Sequence, residues 1–518
     1  LGTLVGEVLA EQQGAGFLKL VEAVRRSAIQ RRENPTKASA ELSELLTGMD
    51  VDGAERLVRA FTTYFQVVNL AEKVHRIRRR RDYLRRGMKA QPGGLLALTQ
   101  ELDSTSLDEV MEELKRLTIE PVMTAHPTEA TRRTLLEKEQ LILRRLVERL
   151  DPSRTPEEEF SALERIRAAV TSNWQTEMYP EQKLSVRNEM EHVLFYLTDV
   201  LYRVVPPFYE NLRQALESRW PAAKDQELPI LLHFGSWVGG DMDGNPNVSG
   251  ETIRQSLEYH RREIIKKYLP EMKSLSRFLS QSLSEVDVSQ AVSDRLHAYI
   301  ELLPDEAEKI GQRVRNMPYR CLLKLMMARM QAVLEDAPGA YQSAEEFQTD
   351  LALIRESMEA NKGRHAGVFQ LSRLQTREKT FGFHLATLDI RQDSLVHRQV
   401  IGQILNDDNW LELDENKRAD RLSDLLKATR LPALPDDEAV TKTIEVFRSI
   451  KWGQQHFGRR ALGPYIISMT QGADDVLSVL FLARMAGLVE ADGRIPLDVA
   501  PLLETVDDLK HGKVILER

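Results

Sequence analysis

The chain has 518 residues, of which 42% are hydrophobic and 29% charged, and its formal net charge at pH 7 is -8. This balance is typical of a globular protein and excludes an intrinsically disordered chain. No apolar run approaches the roughly 18 residues that a membrane helix needs, and no signal-peptide pattern opens the sequence. The lone cysteine, Cys321, lies in an apolar run and closes no internal disulfide. We therefore expect a cytoplasmic protein without a membrane partner.

The net negative charge argues against a nucleic-acid-binding surface spread over the whole protein. One local exception is the run RIRRRRDYLRR at 76–86, which follows a segment, 64–75, with the apolar spacing of a helix. Tyr83 is the one aromatic residue in this run, so side chains for base stacking are scarce there. We interpret the run as a solvated helix face and expect no nucleic-acid partner.

Most of the sequence has the periodicity of amphipathic helix, with apolar residues at i, i+3, i+4 and i+7 and charged residues between them. This spacing predicts helices over 5–29, 135–149, 186–205, 251–282 and 319–335. Pro, Gly and Asp cluster at the breaks 87–94, 151–159, 361–367 and 431–438. Because no internal repeat or low-complexity linker interrupts the chain, we predict a single large domain over 1–518, with a helical N-terminal region over 1–118.

Five short apolar runs stand out against this helical background as predicted strands. They lie at 119–125, 229–237, 382–390, 464–470 and 497–503. Each run is nearly continuously apolar and is separated from the next by predicted helix, which is typical of buried parallel strands with helical crossovers. The predicted fold is therefore mainly α: a heavily helix-inserted (β/α)8 TIM-type barrel, with barrel strands and helical insertions over 119–518. The chain would supply about five of the eight strands that such a barrel has.

Polar residues follow each predicted strand at its carboxyl end. In chain order they are His126, the loop GGDMDGN at 239–245, Arg391, the pair Gln471-Gly472, and Glu504. Parallel barrels carry their chemistry on the loops at this end of the strands. The repeated placement therefore favours an enzyme over a helical scaffold without catalysis, although that scaffold remains an alternative.

The segment MTAHPTEATRRTLLEK at 123–138 is the strongest candidate site. Thr128 can cap a helix that begins there, which would hold His126 beside a helix N-terminus. Arg132 and Arg133 follow about one helical turn later. A helix N-terminus with arginines suits an anion, and the histidine beside it suits proton transfer.

The segment GSWVGGDMDGNPNV at 235–248 is a second candidate site. Its glycines let the backbone approach a ligand closely, and Asp241 and Asp243 supply carboxylates beside them. The same letters are similar to a calcium loop, but the later bidentate glutamate of an EF-hand is absent at the required offset.

Two further charged residues end predicted strands. Arg391 directly follows a buried run, where its charge is costly unless it meets an aspartate or a substrate anion, and the sequence leaves both partners open. Glu504 follows the last run, and by itself it is equally compatible with a metal ligand and a surface carboxylate.

Together these strings resemble the bacterial phosphoenolpyruvate carboxylase family, of which the chain would be the N-terminal three-fifths. The segments 123–138, 235–248, 381–397 and 500–509 are similar to its active-site signature, its glycine-rich loop, its LDIRQ-type motif and its metal-binding segment. Met242 departs from the pattern, since many members carry arginine there. The strings GEVLAEQQG, WQTE and MPYR extend the resemblance over essentially the whole chain.

The resemblance implies carboxylation of phosphoenolpyruvate with bicarbonate to give oxaloacetate and phosphate, which replenishes the tricarboxylic acid cycle. It implies His126 and Arg391 as catalytic residues, Glu504 as a ligand of Mg²⁺ or Mn²⁺, and a cytoplasmic, allosteric homotetramer. The residues implied in substrate binding are Arg132, Arg133, Trp237, Gly239, Gly240, Asp241 and Asp243. A second metal carboxylate, a lysine, further arginines and a mobile loop are expected beyond Arg518. A phosphoenolpyruvate enzyme that phosphorylates a histidine is the rival enzymatic interpretation.

Overall fold

Helices dominate the computed structural model, which describes residues 1–33, 42–87, 90–102, 105–124, 131–177, 185–243 and 245–517. The chain divides into two units. Unit 1 comprises Leu1–Asp103 and Glu129–Leu184, and unit 2 comprises Ser104–Thr128 and Ser185–Arg518. These boundaries differ from the predicted division at residue 118, and a single large domain over the whole chain stays a prediction. Within the described ranges, no helix is both long and apolar enough to cross a bilayer.

Unit 1 is helical throughout its described part. Its helices are α1 (Gly2–Gln13), α2 (Ala15–Glu33), α3 (42–47), α4 (Val51–Arg85), α5 (Leu95–Glu101), α7 (Arg133–Glu148) and α8 (Pro156–Trp174), with α6 (Leu107–Arg116) in unit 2. The apolar faces of α1–α4, α7 and α8 share one core, which includes Val8, Val67 and Ile166. The single helix predicted over 5–29 is divided at Gly14, where φ is 87°, a left-handed value that favours glycine.

The helix that follows the candidate histidine starts later than predicted. The prediction placed its cap at Thr128, which lies outside the described residues, but α7 begins at Arg133 with Arg132 as its N-cap. The apolar period that marks this helix begins with the buried residues Leu135 and Leu136, so packing sets its start. Arg132 and Arg133 therefore lie at the first residues of the helix and not one turn inside it.

Unit 2 contains the sheet and the longer helices. After α6 the helices are α9 (Val186–Phe195), α10 (Tyr202–Arg219), α11 (Gly250–Phe278), α12 (Gln290–Leu302), α13 (Pro304–Glu308), α14 (Pro318–Glu335), α15 (Ala344–Ala360), α16 (Val368–Phe381), α17 (Ser394–Leu405), α18 (Glu415–Lys427), α19 (Glu438–Phe457), α20 (Ala473–Met485) and α21 (Val506–Glu517). A π-helical turn, Tyr196–Leu201, joins α9 to α10, so the helix predicted over 186–205 continues with one irregularity.

All five predicted strands are present, and they pair in parallel in chain order. They are β1 (Val122–Met123), β2 (Gly235–Ser236), β3 (Thr387–Asp393), β4 (Leu462–Ser468) and β5 (Val499–Pro501). The sequence-based prediction of parallel strands with helical crossovers is thus confirmed. Closure of this sheet into a barrel stays a prediction.

Several strands are shorter than predicted, although parallel pairing between the first two runs continues before β1 and β2, where the N–H of Ile119 donates to the carbonyl of Leu231 at 2.8 Å. In the second run, the hydroxyl of Tyr209 accepts hydrogen bonds from the backbone N–H groups of Leu231 and Leu232. In the third run, Gly382 and Leu385 have φ values of 50° and 62°, which are incompatible with an extended strand. The first run was also predicted to be buried, but Ile119 and Val122 are 40% and 39% exposed, so an apolar run in the sequence does not by itself establish burial.

A buried ion-pair network supports the carboxyl end of β4. Asp475 accepts two hydrogen bonds of 2.8 Å from the guanidinium of Arg398, and a third of 2.9 Å from the backbone N–H of Gln471. Arg418 pairs with the neighbouring Asp474 at 2.6 Å, and both aspartates are fully buried. Because each charge has a partner, the network fixes the β4–α20 turn without leaving an isolated buried ion.

We predict that Asp475→Asn destabilises the protein by about 3–5 kcal/mol, because it removes the carboxylate that Arg398 contacts at 2.8 Å and leaves the buried guanidinium with only Asp474, at 3.9 Å, among the described carboxylates. The measurement is the midpoint of urea-induced unfolding. Asp507→Asn is the matched control, since the Asp507–Lys510 pair is exposed and should contribute less than about 1 kcal/mol. Equal shifts for the two variants would contradict a stabilising role for the network.

Candidate functional site

The glycine-rich loop is an extension of the sheet that packs directly on β3. The backbone N–H of Arg391 donates to the carbonyl of Gly240 at 3.0 Å, and the N–H of Met242 donates to the carbonyl of Arg391 at 2.8 Å. These bonds form a parallel bridge between Asp241 and Arg391 beyond the end of β2. The two sequence motifs that contain these residues therefore meet at the carboxyl ends of neighbouring strands.

Two glycines make this close packing feasible. A Cβ atom at Gly240 would lie 2.1 Å from the backbone carbonyl oxygen of Asp389, which cannot move away without breaking the strand. At Gly239, where φ is 92°, a Cβ atom would lie 2.0 Å from Oγ of Ser256. The structure thus brings the loop against protein backbone and side chains, where a residue with a Cβ would not fit.

Arg391 is held on three sides by this loop. Its Nη1 lies 3.2 Å from Oδ2 of Asp241, and its Nη2 lies 2.6 Å from Oδ2 of Asp243. Its Cζ lies 5.1 Å from the ring centroid of Trp237, within the range of a cation–π contact. Of the two partners that the sequence left open for Arg391, the aspartates are present in the structure.

Burial acts on one carboxylate of this cluster. It is the largest influence on Asp241 and raises the pKa of that carboxyl, while the nearby positive charge of Arg391 lowers it. With both aspartates ionised, the cluster of Arg391, Asp241 and Asp243 carries one net negative charge. The guanidinium is thus rigidly oriented, but its charge is already balanced by its neighbours.

Asp389 is a site residue that the sequence reasoning missed. Its Oδ2 accepts a 3.0 Å hydrogen bond from the indole Nε1 of Trp237, and its side chain is 7% exposed. Burial raises the pKa of this carboxyl to about 6, with Glu120 adding a smaller effect in the same direction. The signal was available, since Asp389 and Arg391 lie two residues apart on one strand and so point to the same face.

The side chain of Met242 lies outside this cluster. It is 9% exposed and belongs to the apolar core of unit 2, together with Val248 and Ile390. The alternation along the loop sends the two flanking aspartates toward Arg391 and the methionine into the core. A neutral residue is therefore compatible with this position for packing reasons.

The remaining predicted site residues are His126, Arg132, Arg133 and Glu504. His126 falls within 125–130, which the structure does not describe. Within unit 1, Arg132 pairs with Glu177 at 2.9 Å and Arg133 pairs with Glu137 at 3.0 Å. The guanidinium groups of both arginines thus already form ion pairs with carboxylates.

Glu504 follows β5 at its carboxyl end, as predicted, and its side chain is exposed. Within the described part of the chain, no three His, Cys, Asp or Glu side chains are grouped so that they could hold a metal ion. Glu504 alone supplies one carboxylate, which is too few to define a magnesium site without further ligands.

We predict that Asp389→Asn stabilises the protein at neutral pH and not at pH 4. A carboxyl with a raised folded-state pKa contributes stability below its unfolded value of 3.8, and loses that contribution as the pH rises through about 6. Asparagine keeps an acceptor for the Trp237 indole and has no such penalty, so the gain should reach about 2–3 kcal/mol above pH 7.

Urea unfolding of the Asp389→Asn variant and the parent protein at pH 4, 5.5 and 7.5 checks this expectation. Asp498→Asn, which changes an exposed carboxylate just before β5, is the control. A stability difference that does not change with pH would show that Asp389 has an ordinary acidity.

Comparison with known proteins agrees with these motifs. A family model described as "Phosphoenolpyruvate carboxylase" matches residues 1–518. The phosphoenolpyruvate carboxylase of Xanthomonas campestris pv. campestris strain 8004 is 49% identical over 515 residues, which cover 99% of this chain and 57% of that protein. The enzyme of that name from Ralstonia nicotianae is 34% identical over 548 residues, covering 100% and 55%. The one from Rhodopseudomonas palustris strain HaA2 is 32% identical over 544 residues, covering 100% and 57%. The chain thus spans 55–57% of the length of these relatives.

Proposed function

The chain belongs to the phosphoenolpyruvate carboxylase family, and we propose that it serves the carboxylation of phosphoenolpyruvate with bicarbonate to oxaloacetate and phosphate. The observation that carries this proposal is the cluster at the carboxyl ends of β2 and β3. There Arg391 lies over Trp237 and is oriented by Asp241 and Asp243. A fixed guanidinium at this end of parallel strands is suited to binding the phosphate of such a substrate.

Arg391 retains donors for that role. Each of its two terminal nitrogens carries two N–H groups and forms an ion pair with one aspartate. The second N–H group of each nitrogen would then bind a phosphoryl oxygen. The aspartates hold the guanidinium in one orientation before the substrate arrives, which lowers the reorganisation needed in the transition state. The apolar ring of Trp237, which packs against the guanidinium, would keep water from one side of the bound anion.

The glycine-rich loop has a binding role in this proposal as well. Gly239 and Gly240 place backbone against β3 and keep Asp241 and Asp243 in reach of Arg391. Arg132 and Arg133 are assigned to the substrate anion because they lie at the N-terminal end of α7. Backbone N–H groups and the helix dipole favour negative charge at that position.

His126 is proposed as the base of the reaction. Bicarbonate attacks the phosphorus of phosphoenolpyruvate, which gives carboxyphosphate and the enolate of pyruvate. Loss of the carboxyphosphate proton then breaks the bond between its carboxyl carbon and the phosphate oxygen, which releases inorganic phosphate and carbon dioxide, and the enolate captures the carbon dioxide. Histidine has an ordinary pKa near neutrality and so suits that proton transfer. The motif of 123–138 supports this assignment.

Further features follow from family membership. A divalent ion, Mg²⁺ or Mn²⁺, would stabilise the charge that develops on phosphoryl and enolate oxygens, and Glu504 is proposed as one of its ligands. The parallel sheet β1–β5 is proposed to form part of a (β/α)8 barrel. We place the protein in the cytoplasm as an allosteric homotetramer, where oxaloacetate formation replenishes the tricarboxylic acid cycle.

Enzyme assays of the protein that contains this chain test the proposal. We predict that Arg391→Gln raises KM for phosphoenolpyruvate by about 10–100-fold. This range corresponds to the loss of about one charge-assisted hydrogen bond to the phosphate. The substitution also leaves the two loop aspartates facing the anion. Arg448→Gln is the control, because Arg448 forms an exposed pair with Glu445 within α19. No oxaloacetate from the parent protein would refute the function, whereas an unchanged KM would remove Arg391 from it.

His126→Asn separates the two chemical steps. Asparagine has a similar size but cannot accept the carboxyphosphate proton, so bicarbonate-dependent phosphate release should continue while oxaloacetate falls by at least about 100-fold. Phosphate and oxaloacetate are measured in parallel on one sample. Oxaloacetate formation near that of the parent protein would exclude His126 as the base. An acid-labile phosphohistidine after incubation with phosphoenolpyruvate would instead favour the phosphotransferase alternative.

A further inference from the structure

Three side chains form a stack on one face of the sheet. Asp389 and Arg391 project from β3 two residues apart, and Trp237, from the end of β2, lies against both of them. The indole N–H donates to Oδ2 of Asp389 at 3.0 Å, while the face of the same ring lies under the guanidinium of Arg391. The indole of Trp237 therefore links Asp389 to Arg391, since it contacts both side chains.

The hydrogen bond to Asp389 determines how the tryptophan ring is turned. An indole has a single polar atom, the Nε1–H donor, so its one hydrogen bond selects between otherwise similar ring orientations. A cation–π contact depends on the guanidinium lying over the ring face and not over its edge. The acceptor at Asp389 thus fixes the surface on which Arg391 rests.

The strand next to β3 is adapted to make room for this carboxylate. Leu388 pairs with Leu462 and Ile390 pairs with Tyr465, so β4 has an extra residue opposite Asp389. At this bulge, a Cβ atom on Gly463 would lie 1.9 Å from Oδ1 of Asp389. Bulges next to functional sites redirect side chains, and here the bulge opens the space that the carboxylate occupies.

Stability alone does not account for a carboxylate at this position. The structure gives Asp389 one side-chain hydrogen bond, from Trp237, and places the group where burial opposes its charge. A buried carboxylate with so little compensation is unfavourable for folding. We therefore interpret its contribution as geometric: it orients the Trp237 ring against which Arg391 packs.

We propose that Asp389 is a positioning residue that orients Arg391 toward the substrate phosphate by holding the indole of Trp237. The inference rests on the proposed function, in which Arg391 binds that phosphate. It extends the site by one residue and assigns a purpose to the β4 bulge at Gly463. Asp389 itself does not contact the reacting atoms and takes no proton from them.

A double-mutant cycle on the protein that contains this chain tests the inference. Asp389→Ala removes the acceptor, and Trp237→Phe removes the donor while keeping a ring under Arg391. Each should raise KM for phosphoenolpyruvate by about tenfold, with kcat changed less. The double variant should be little worse than either single one, because both break the same contact. Asp389→Asn, which keeps an acceptor, should restore KM to within about threefold of the parent value.

A readout without turnover separates this inference from the proposed function. In the parent protein labelled with ¹⁵N-tryptophan, the Trp237 indole N–H signal is identified by its loss in Trp237→Phe. That signal should move in Asp389→Ala and stay near its parent position in Asp389→Asn. Asp498→Asn, at an exposed carboxylate, should leave both the signal and KM unchanged.

The outcomes are distinct. A moved signal with a raised KM and a non-additive cycle supports the positioning role. If the parent is active and Asp389→Ala does not change KM, the inference is wrong and the proposed function stands. The same holds if the KM increase of the double variant equals the product of the two single increases. A parent without phosphoenolpyruvate carboxylation overturns the proposed function and with it a role toward that substrate. If Asp389→Ala does not fold, Asp389→Asn and Trp237→Phe decide, and equal KM values for them contradict the inference.

Discussion

The parallel backbone pairing between the glycine-rich loop and β3 is the constraint on which the site depends. Two hydrogen bonds, from Arg391 to Gly240 and from Met242 to Arg391, fix the register of the loop against the strand. Because side chains alternate along extended backbone, this register sends Asp241 and Asp243 to Arg391 and sends Met242 into the core. A shift by one residue would reverse that assignment and bury two carboxylates. Gly240 is needed because the loop approaches the backbone of Asp389 too closely for any Cβ, and a Cβ at Gly239 would meet the side chain of Ser256.

Titratable side chains near β3 lie in two different environments. At the carboxyl ends of the strands, the charged side chains of Arg391 and Asp475 have charged partners. Just before β3, burial lowers the pKa of His384 to about 3, so this residue is neutral at physiological pH. Charge on these side chains is thus kept where a partner of opposite sign is available, and the buried histidine, which has no such partner among the described residues, is neutral.

Sequence reasoning predicted the parts of the fold and of the candidate site that depend on local pattern. The five parallel strands were predictable, because short apolar runs separated by helices are typical of parallel strands with crossovers. Strand lengths and burial were not, since Gly382 and Leu385 adopt positive φ within the third run and Val122 in β1 is exposed. The start of α7 was placed too early because a capping residue was given more weight than the first buried leucines. Asp389 was missed because its partner, Trp237, is distant in sequence and its space depends on a bulge in a third segment.

The charge balance of the cluster limits what Arg391 can do alone. One guanidinium faces two carboxylates, so an approaching phosphate meets a group with a net negative charge and a fixed fork of donors. Such a site would orient a bound phosphate through hydrogen bonds of fixed geometry. It would not attract the phosphate from a distance, because its long-range electrostatic field is unfavourable to an anion. The attraction must come from cations outside the cluster. A neutral Met242 packed in the core leaves that requirement in place, whereas a cation projecting from this loop would relieve it. In the proposed function, Arg391 would therefore orient the phosphate and other positive groups would attract it.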